Sequence, residues 1–371
     1  MKKPALILFF YFILPFAALC WGAQPETIRV ALLKEVESVG LEGTGLLAAD
    51  EMGNPLSDGS GFYVTGAKDR PGLMVNGRFL RRLTVTTPAY IKVNGRKHRG
   101  RIEIFPLDKG LLVVNELLLE DYLVGLINCE ISSQWPMEAV KAQAVVARTY
   151  AVFQKEARKN SMYDLESTVI DQVYNGCEIE DSRAQRGVME TAGEVLTFNG
   201  SVIQAFYHSN CGGHTESAEN VWGCPLPYLQ GVACSYCLAA QSARWEQTLP
   251  LYRIESLLRN SGMQVAGLRD IRTGRRNRSG RLVELFLDSS DGVQTISAVN
   301  FRKAVGYTLI RSTNFQVRIT GGDAVFNGNG YGHGVGLCQW GAKHRAAEGF
   351  DYREILAYYY PGVRLKKRYG R

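Results

Sequence analysis

Four groups of residues in this chain have the types and spacing to do chemistry. The first is Glu130, in the run NCEISSQWP, flanked by Ile127, Ile131 and Trp135 and placed just before a long helix-forming stretch. A carboxyl group among apolar neighbours is pushed toward its protonated form, which is how a general acid for glycosidic cleavage is made. The start of the following helix would pull the other way, and an acid that merely answers that helix dipole is the alternative reading. The second group lies on the helix itself. Lys141 and Arg148 are seven apart, hence on one face, and suit an anionic or polyhydroxyl ligand. Glu138, three residues before Lys141, offers it an ordinary ion-pair partner instead.

The third group is Cys211-x2-His214 followed by Cys234-x2-Cys237. Two close pairs of this kind match the demands of a tetrahedral zinc site, closed and therefore structural. A disulfide inside a C-x-x-C is strained, but bridges that involve Cys224 remain the competing reading. His208 lies outside this spacing and either faces a substrate or is a structural histidine. The fourth group is NGNGYGHGVGLCQWGA (327–342), where glycines at every second position from 328 to 336 present His333 and Gln339. No Gly-Lys-Ser/Thr follows, so it is not a phosphate loop, and glycine-rich packing of strand against helix competes with ligand binding.

These residues need elements to hold them. Residues 24–98 read as short strands between glycine turns, and the texture continues through RGRIEIFPLDKGLLVVN (99–115) with a hairpin turn at Asp108-Lys109-Gly110. Asn94-Gly95 and Asn199-Gly200 are hairpin turn signals. The run Pro136–Glu156 predicts a helix with Pro136 in its first turn, Ser132 or Ser133 as cap, and Met137, Val140, Ala144, Ala147 and Ala151 on a core face. A further helix is expected within 348–362, stopped by Pro361-Gly362, and a hairpin within 279–297. The expected fold class is α+β, β-rich, with a central long helix that carries the catalytic segment at its N-terminal end.

The composition is that of a folded chain: 371 residues, 46% hydrophobic, 21% charged, which excludes collagen-like, coiled-coil and largely disordered classes. A formal charge of +7, from 43 basic against 36 acidic residues, is too mild for a nucleic-acid binder yet compatible with an anionic cell-wall polymer. Lys2 and Lys3 precede the apolar run Ala5–Leu19, with small residues near Gly22 and Ala23, the order of a secretory leader. An uncleaved anchor is the alternative. The expected organisation is a leader over 1–23, a β-rich region over 24–98, a catalytic domain over 99–363 and a basic tail over 364–371. Outside the cytosol the chemistry runs without nucleotides.

The run VVNELLLEDYLVGLINCEISSQWPMEAVKAQAVVARTYAV (113–152) resembles the signature segment of the SpoIID/LytB family, relatives of stage II sporulation protein D that act on bacterial peptidoglycan. DQVYNG (171–176), FYHSNCGGHTESAENVWG (206–223), PYL (227–229), SGR (279–281) and GYGHGVGLCQWGA (330–342) match further blocks in the same order. The resemblance implies a SpoIID-like fold and a lytic transglycosylase that cuts between N-acetylmuramic acid and N-acetylglucosamine, leaving a 1,6-anhydro end. It carries the role of catalytic acid onto Glu130, with Lys141, Arg148, Tyr174, His208, His333 and Gln339 as candidate substrate contacts. One carboxyl suffices there because the sugar's own 6-hydroxyl attacks; Asp171 is the nearest candidate for a second acid.

Departures from the family pattern are local. Some relatives place zinc ligands shortly before the QVY block, whereas MYDLESTVIDQVY (162–174) holds neither His nor Cys, so that site is not carried over. Leu118 stands where proline is common, and Ile131-Ser132 where Met-Pro is common. A second reading from another class is a non-catalytic wall-binding activator of a cell-wall amidase, since some relatives are called amidase enhancers. In either case the partners expected are glycan strands, with no nucleic acid and no nucleotide.

Overall fold

The computed structural model describes residues 26–56, 59–67, 70–168 and 171–369. The leader expected over 1–23 lies outside these residues. Among the described residues no helix is long and apolar enough to cross a membrane.

The N-terminal half is built on one large sheet. Strand Thr27–Val36 pairs antiparallel with Leu111–Leu118, which continues through Arg101–Pro106 and Leu83–Thr86 to Ser38–Ala49 and Gly59–Gly66. Strands on either side of residue 98 therefore share a sheet. Alternation sets its buried face: Val39, Leu41, Val64, Val85, Ile102 and Ile104 are each within 1% of full burial. Both Asn-Gly signals make hairpin turns. Asn94 and Gly95 (φ 46° and 85°) link Ile91–Val93 to Arg96–His98, and Asn199 and Gly200 (φ 49° and 87°) link Glu194–Phe198 to Ser201–Val202. Two central residues at positive φ are what such turns require, and asparagine and glycine reach it at least cost.

The chain then turns helical. Helix α1 spans Leu119–Glu130 and helix α2 spans Met137–Ala157. Glu130 thus closes α1 and does not open α2. Pro136 sits at the N-cap of α2, with no side-chain cap bond. The Ser133 hydroxyl instead donates to Asp181 (2.5 Å), whose carboxylate caps the helix Ser182–Glu190 by accepting from Ala184 N (2.8 Å).

The expected core face of α2 proves to be only part of its burial. Ala142, Val145 and Val146 pack in a second cluster on the other side, so the helix is covered nearly all round. Its alanines allow that closeness. The helix Ser182–Glu190 comes so near that a Cβ on Gly187 would lie 2.6 Å from Val140 Cγ1. Around α2 also lie the helices Gln339–Ala347 and Tyr352–Tyr359, the latter closed by an Asp351/Glu354 capping box. Strand Arg364–Lys367, in the basic tail, pairs with Glu194–Phe198.

Between these parts a β-rich module is inserted. Strand Arg244–Pro250 pairs with Asp323–Asn329, and Glu284–Ser289 forms the expected hairpin with Gly292–Ser297. This module has its own core, around Trp245, Ile254, Leu285, Phe301 and Phe326.

Candidate functional site

Glu130 gathers the groups around it. Its carboxylate accepts from the backbone N–H of Val173 (3.3 Å), from the Tyr207 hydroxyl and from the Gln339 amide. Burial pushes the carboxyl's pKa above its ordinary value, and these three donors pull only part of the way back. The expected opposing pull from the helix after it does not arise, because Glu130 ends its own helix, where the dipole favours the neutral form.

A chain of hydrogen bonds holds the donors. Tyr122 donates to Gln172 Oε1 (3.1 Å), and Gln172 Nε2 donates to the Tyr207 oxygen (3.2 Å), which leaves the Tyr207 proton for Glu130. Gln339 Nε2 also reaches Gln143 Oε1 (3.4 Å), whose own amide nitrogen is buried without a protein partner. His333 accepts from Val335 N at Nδ1 (3.0 Å), so its Nε2 carries the proton and bonds the Tyr207 backbone. Burial keeps both His333 and His208 neutral, His208 with a pKa lowered to about 3. Beside His333, Trp222 stacks on Phe206 (4.3 Å between ring centres) and remains 46% exposed, an aromatic plate at the edge of the site.

The other candidate residues divide sharply. Gln339 bonds Glu130, and His333 supports Tyr207. His208, buried, donates from Nδ1 to Val335 O (3.0 Å), and its Nε2 is left without a protein partner. Tyr174 is buried against Tyr122 (5.0 Å) and His98 (5.7 Å). Arg148 does not face a ligand: its side chain is fully buried and forks onto Glu120 (2.9 and 2.7 Å). Lys141 pairs with Glu138 (2.9 Å) and Glu190 (2.7 Å), so the ordinary partner three residues away claims it. Asp171 is tied to Arg158 (2.7 Å), Tyr150 (2.9 Å) and the Glu166 N–H (2.8 Å), and offers no second acid to the site. Tyr207, the donor that sequence reasoning passed over, sits next to His208 in a matched block, and that adjacency was its one signal.

The cysteine cluster has a different fourth member. Cys211, Cys234, Cys237 and Cys338 bring their sulfurs within 4.8 Å of one another, all buried, an arrangement compatible with a metal site. His214 is outside it, with Nδ1 2.6 Å from Thr215 O. Cys224 is exposed and apart from the group. The glycine loop owes its shape to close approach: a Cβ on Gly334 would lie 2.7 Å from the Arg281 guanidinium, and one on Gly336 would lie 2.0 Å from Phe206 O.

Comparison with known proteins agrees with this layout. Residues 107–198 match the family described as stage II sporulation protein (SpoIID), and residues 238–336, the inserted module, match a domain of unknown function (DUF8618). An uncharacterized protein of Brachyspira hyodysenteriae is 38% identical over 81% of both chains. The amidase enhancer of Bacillus subtilis is 31% identical over 66% of this chain and 40% of its own length. Stage II sporulation protein D of Bacillus amyloliquefaciens is 27% identical over 68% of this chain and 76% of its own. With the signature block, the order of the later blocks and these relatives in agreement, the chain belongs to the SpoIID family, which is associated with the bacterial cell wall.

Proposed function

We propose that the protein is an exported peptidoglycan lytic transglycosylase in which Glu130 is the single general acid and base. The observation that carries this reading is a buried carboxyl with a raised pKa, held by Tyr207, Gln339 and the Val173 N–H. Among the described residues, no second carboxylate bonds into that group. Glu130 would give its proton to the glycosidic oxygen as the C1–O4 bond breaks, releasing the N-acetylglucosamine 4-hydroxyl. The muramic 6-hydroxyl then closes on C1 and its proton passes to the Glu130 carboxylate, so the acid is restored and no water is consumed. Trp222 would stack on a sugar ring. The basic surface excess suits an anionic wall polymer. The cysteine cluster would hold one structural zinc that takes no part in the proton transfers.

The test is Glu130→Gln. The variant should fold and release no anhydro-muramyl products from peptide-stripped glycan strands, as read by mass spectrometry. Substantial cleavage by the variant would refute the role of Glu130. Because the folded state prefers the protonated carboxyl, the unfolded chain binds fewer protons at intermediate pH, and stability falls as pH rises. The glutamine variant, neutral throughout, should therefore gain stability relative to wild type as pH rises. A second reading follows from the relative named amidase enhancer. A chain that leaves glycan strands uncut yet accelerates a cell-wall amidase would establish it.

A further inference from the structure

The four clustered cysteines come from three distant parts of the chain, and their surroundings are built for thiolates. Each is at most 1% exposed. Sulfur–sulfur separations reach no further than 4.8 Å, with Cys211 and Cys237 at 3.3 Å. A tetrahedral centre with zinc–sulfur bonds of about 2.3 Å sets its sulfurs about 3.8 Å apart, inside this range. Cys338 caps the helix Gln339–Ala347, and its sulfur accepts from the backbone N–H groups of Gly341 (3.4 Å) and Cys211 (3.3 Å). Tyr359 places its hydroxyl 3.2 Å from Cys234 Sγ. Donors aimed at sulfur, one of them at a helix N-terminus, are the supporting contacts of a metal-bound thiolate. Gly341 is needed for the approach, since a Cβ there would lie 2.8 Å from Cys234 Sγ. Four thiolates and a divalent ion sum to a charge of −2. Buried Arg281, donating to Cys211 O (3.0 Å), supplies positive charge beside them.

The cluster also adjoins the Glu130 site along the backbone. Cys338 directly precedes Gln339, and Cys211 follows four residues after Tyr207. The two segments are hydrogen-bonded to each other as parallel strands, Tyr207 opposite Leu337 and His208 opposite Cys338. Both side chains that donate to Glu130 thus lie within four residues of a cluster cysteine.

We propose that Cys211, Cys234, Cys237 and Cys338 bind one zinc ion as a four-thiolate centre, and that this centre fixes Gln339 and Tyr207 against Glu130. Binding replaces four S–H bonds by four zinc–sulfur bonds and releases four protons. The ion takes no part in bond cleavage, and Cys338 is a positioning residue through Gln339. This second half rests on Glu130 as the working carboxyl, while the metal itself does not.

The experiment uses the full chain purified under reducing conditions. Metal content is read by plasma mass spectrometry, ligand type from the spectrum of cobalt(II)-exchanged protein, and the Glu130 carboxyl by carbon-13 NMR titration, assigned by its absence in E130Q. Wild type and H214A should each carry one zinc equivalent, cobalt should show a four-sulfur tetrahedral field, and C338S should lose most of its zinc. Glu130 should titrate at higher pH in C338S, as in Q339L, because a donor to its charged form is displaced. Metal-free wild type with a disulfide in a non-reducing peptide map overturns the centre. So does a cobalt spectrum with nitrogen ligation that H214A abolishes. An unchanged Glu130 titration in folded C338S overturns the positioning role. If C338S does not fold, H214A and the wild-type cobalt spectrum decide the ligands, and chelator-stripped wild type replaces C338S in the titration. None of these readings depends on glycan cleavage.

Discussion

Arg148→Met separates a structural arginine from a ligand-binding one. Methionine keeps much of the aliphatic stem, so the change removes the guanidinium more than the packing. Lost with it are the paired bonds to Glu120 (2.9 and 2.7 Å) and those to Val188 O (3.1 Å) and Glu194 O (3.2 Å). Removing one partner of a buried ion pair costs about 3–5 kcal/mol. Glu120 is not wholly abandoned, because the Gly193 N–H (3.0 Å) and the Tyr369 hydroxyl (2.8 Å) still bond it. Its side chain is also 18% exposed. These contacts move the expectation to the lower half of that range, about 3–4 kcal/mol. Adding Glu120→Gln removes the stranded charge and should recover about 1–2 kcal/mol. Urea unfolding followed by both circular dichroism and tryptophan fluorescence measures the loss and checks that the two probes coincide. A loss below about 1 kcal/mol would refute the buried-pair argument. Normal stability together with weakened glycan binding would return Arg148 to the ligand.

Three further expectations follow. Tyr207→Phe removes a donor to the Glu130 carboxylate, so the carboxyl holds its proton to higher pH, and the basic limb of kcat/KM for glycan cleavage moves upward; a limb that stays or falls refutes the bond. Trp222→Ala should weaken glycan affinity by about 3–10-fold in a pull-down with purified strands, the worth of one aromatic contact, while the melting temperature holds. Gly336→Ala, at φ 73° with its new Cβ 2.0 Å from Phe206 O, should break the pairing of Tyr207 with Leu337; unchanged hydrogen exchange there would contradict the geometry.

Local features were legible in the sequence where local physics decides them. Both Asn-Gly turns, the hairpin over 284–297 and the helix ended by Pro361-Gly362 follow from chemistry within a few residues. Glu130 stood out through its apolar neighbours, yet its place at the end of α1 did not, since the break at 131–136 carries no strong stop signal. Arg148 and Lys141 read as ligand contacts because helical spacing shows which residues share a face and not what lies opposite. Glu120 and Glu190, far in sequence, settled both. Cys338 was missed as the fourth cysteine for a related reason. Ligand spacing is sought over short windows, and a whole module separates Cys237 from Cys338. His214 had the spacing but turns its ring to Thr215.

That module leaves the cell-wall fold after Cys237 and rejoins it before Cys338, and the two cysteines that bracket it have sulfurs within 4.8 Å of each other. To the rest of the chain, residues 238–336 are therefore a cassette whose two ends meet in space. It is also docked along its side, where Asn277 and Ser279 donate to Glu216 (2.6 and 2.7 Å) and Arg281 donates to Cys211 O (3.0 Å). Insertions are tolerated at such points, because the host contributes only a short gap and the guest brings its own core. The cost of closing a longer loop there grows only with the logarithm of its length. The last residues of this stretch do more than return the chain: His333 and Val335 stand against Tyr207 and His208. A cassette exchanged at this point would have to keep the 330–336 return and the Arg281 contact to Cys211 for the walls around Glu130 to stand.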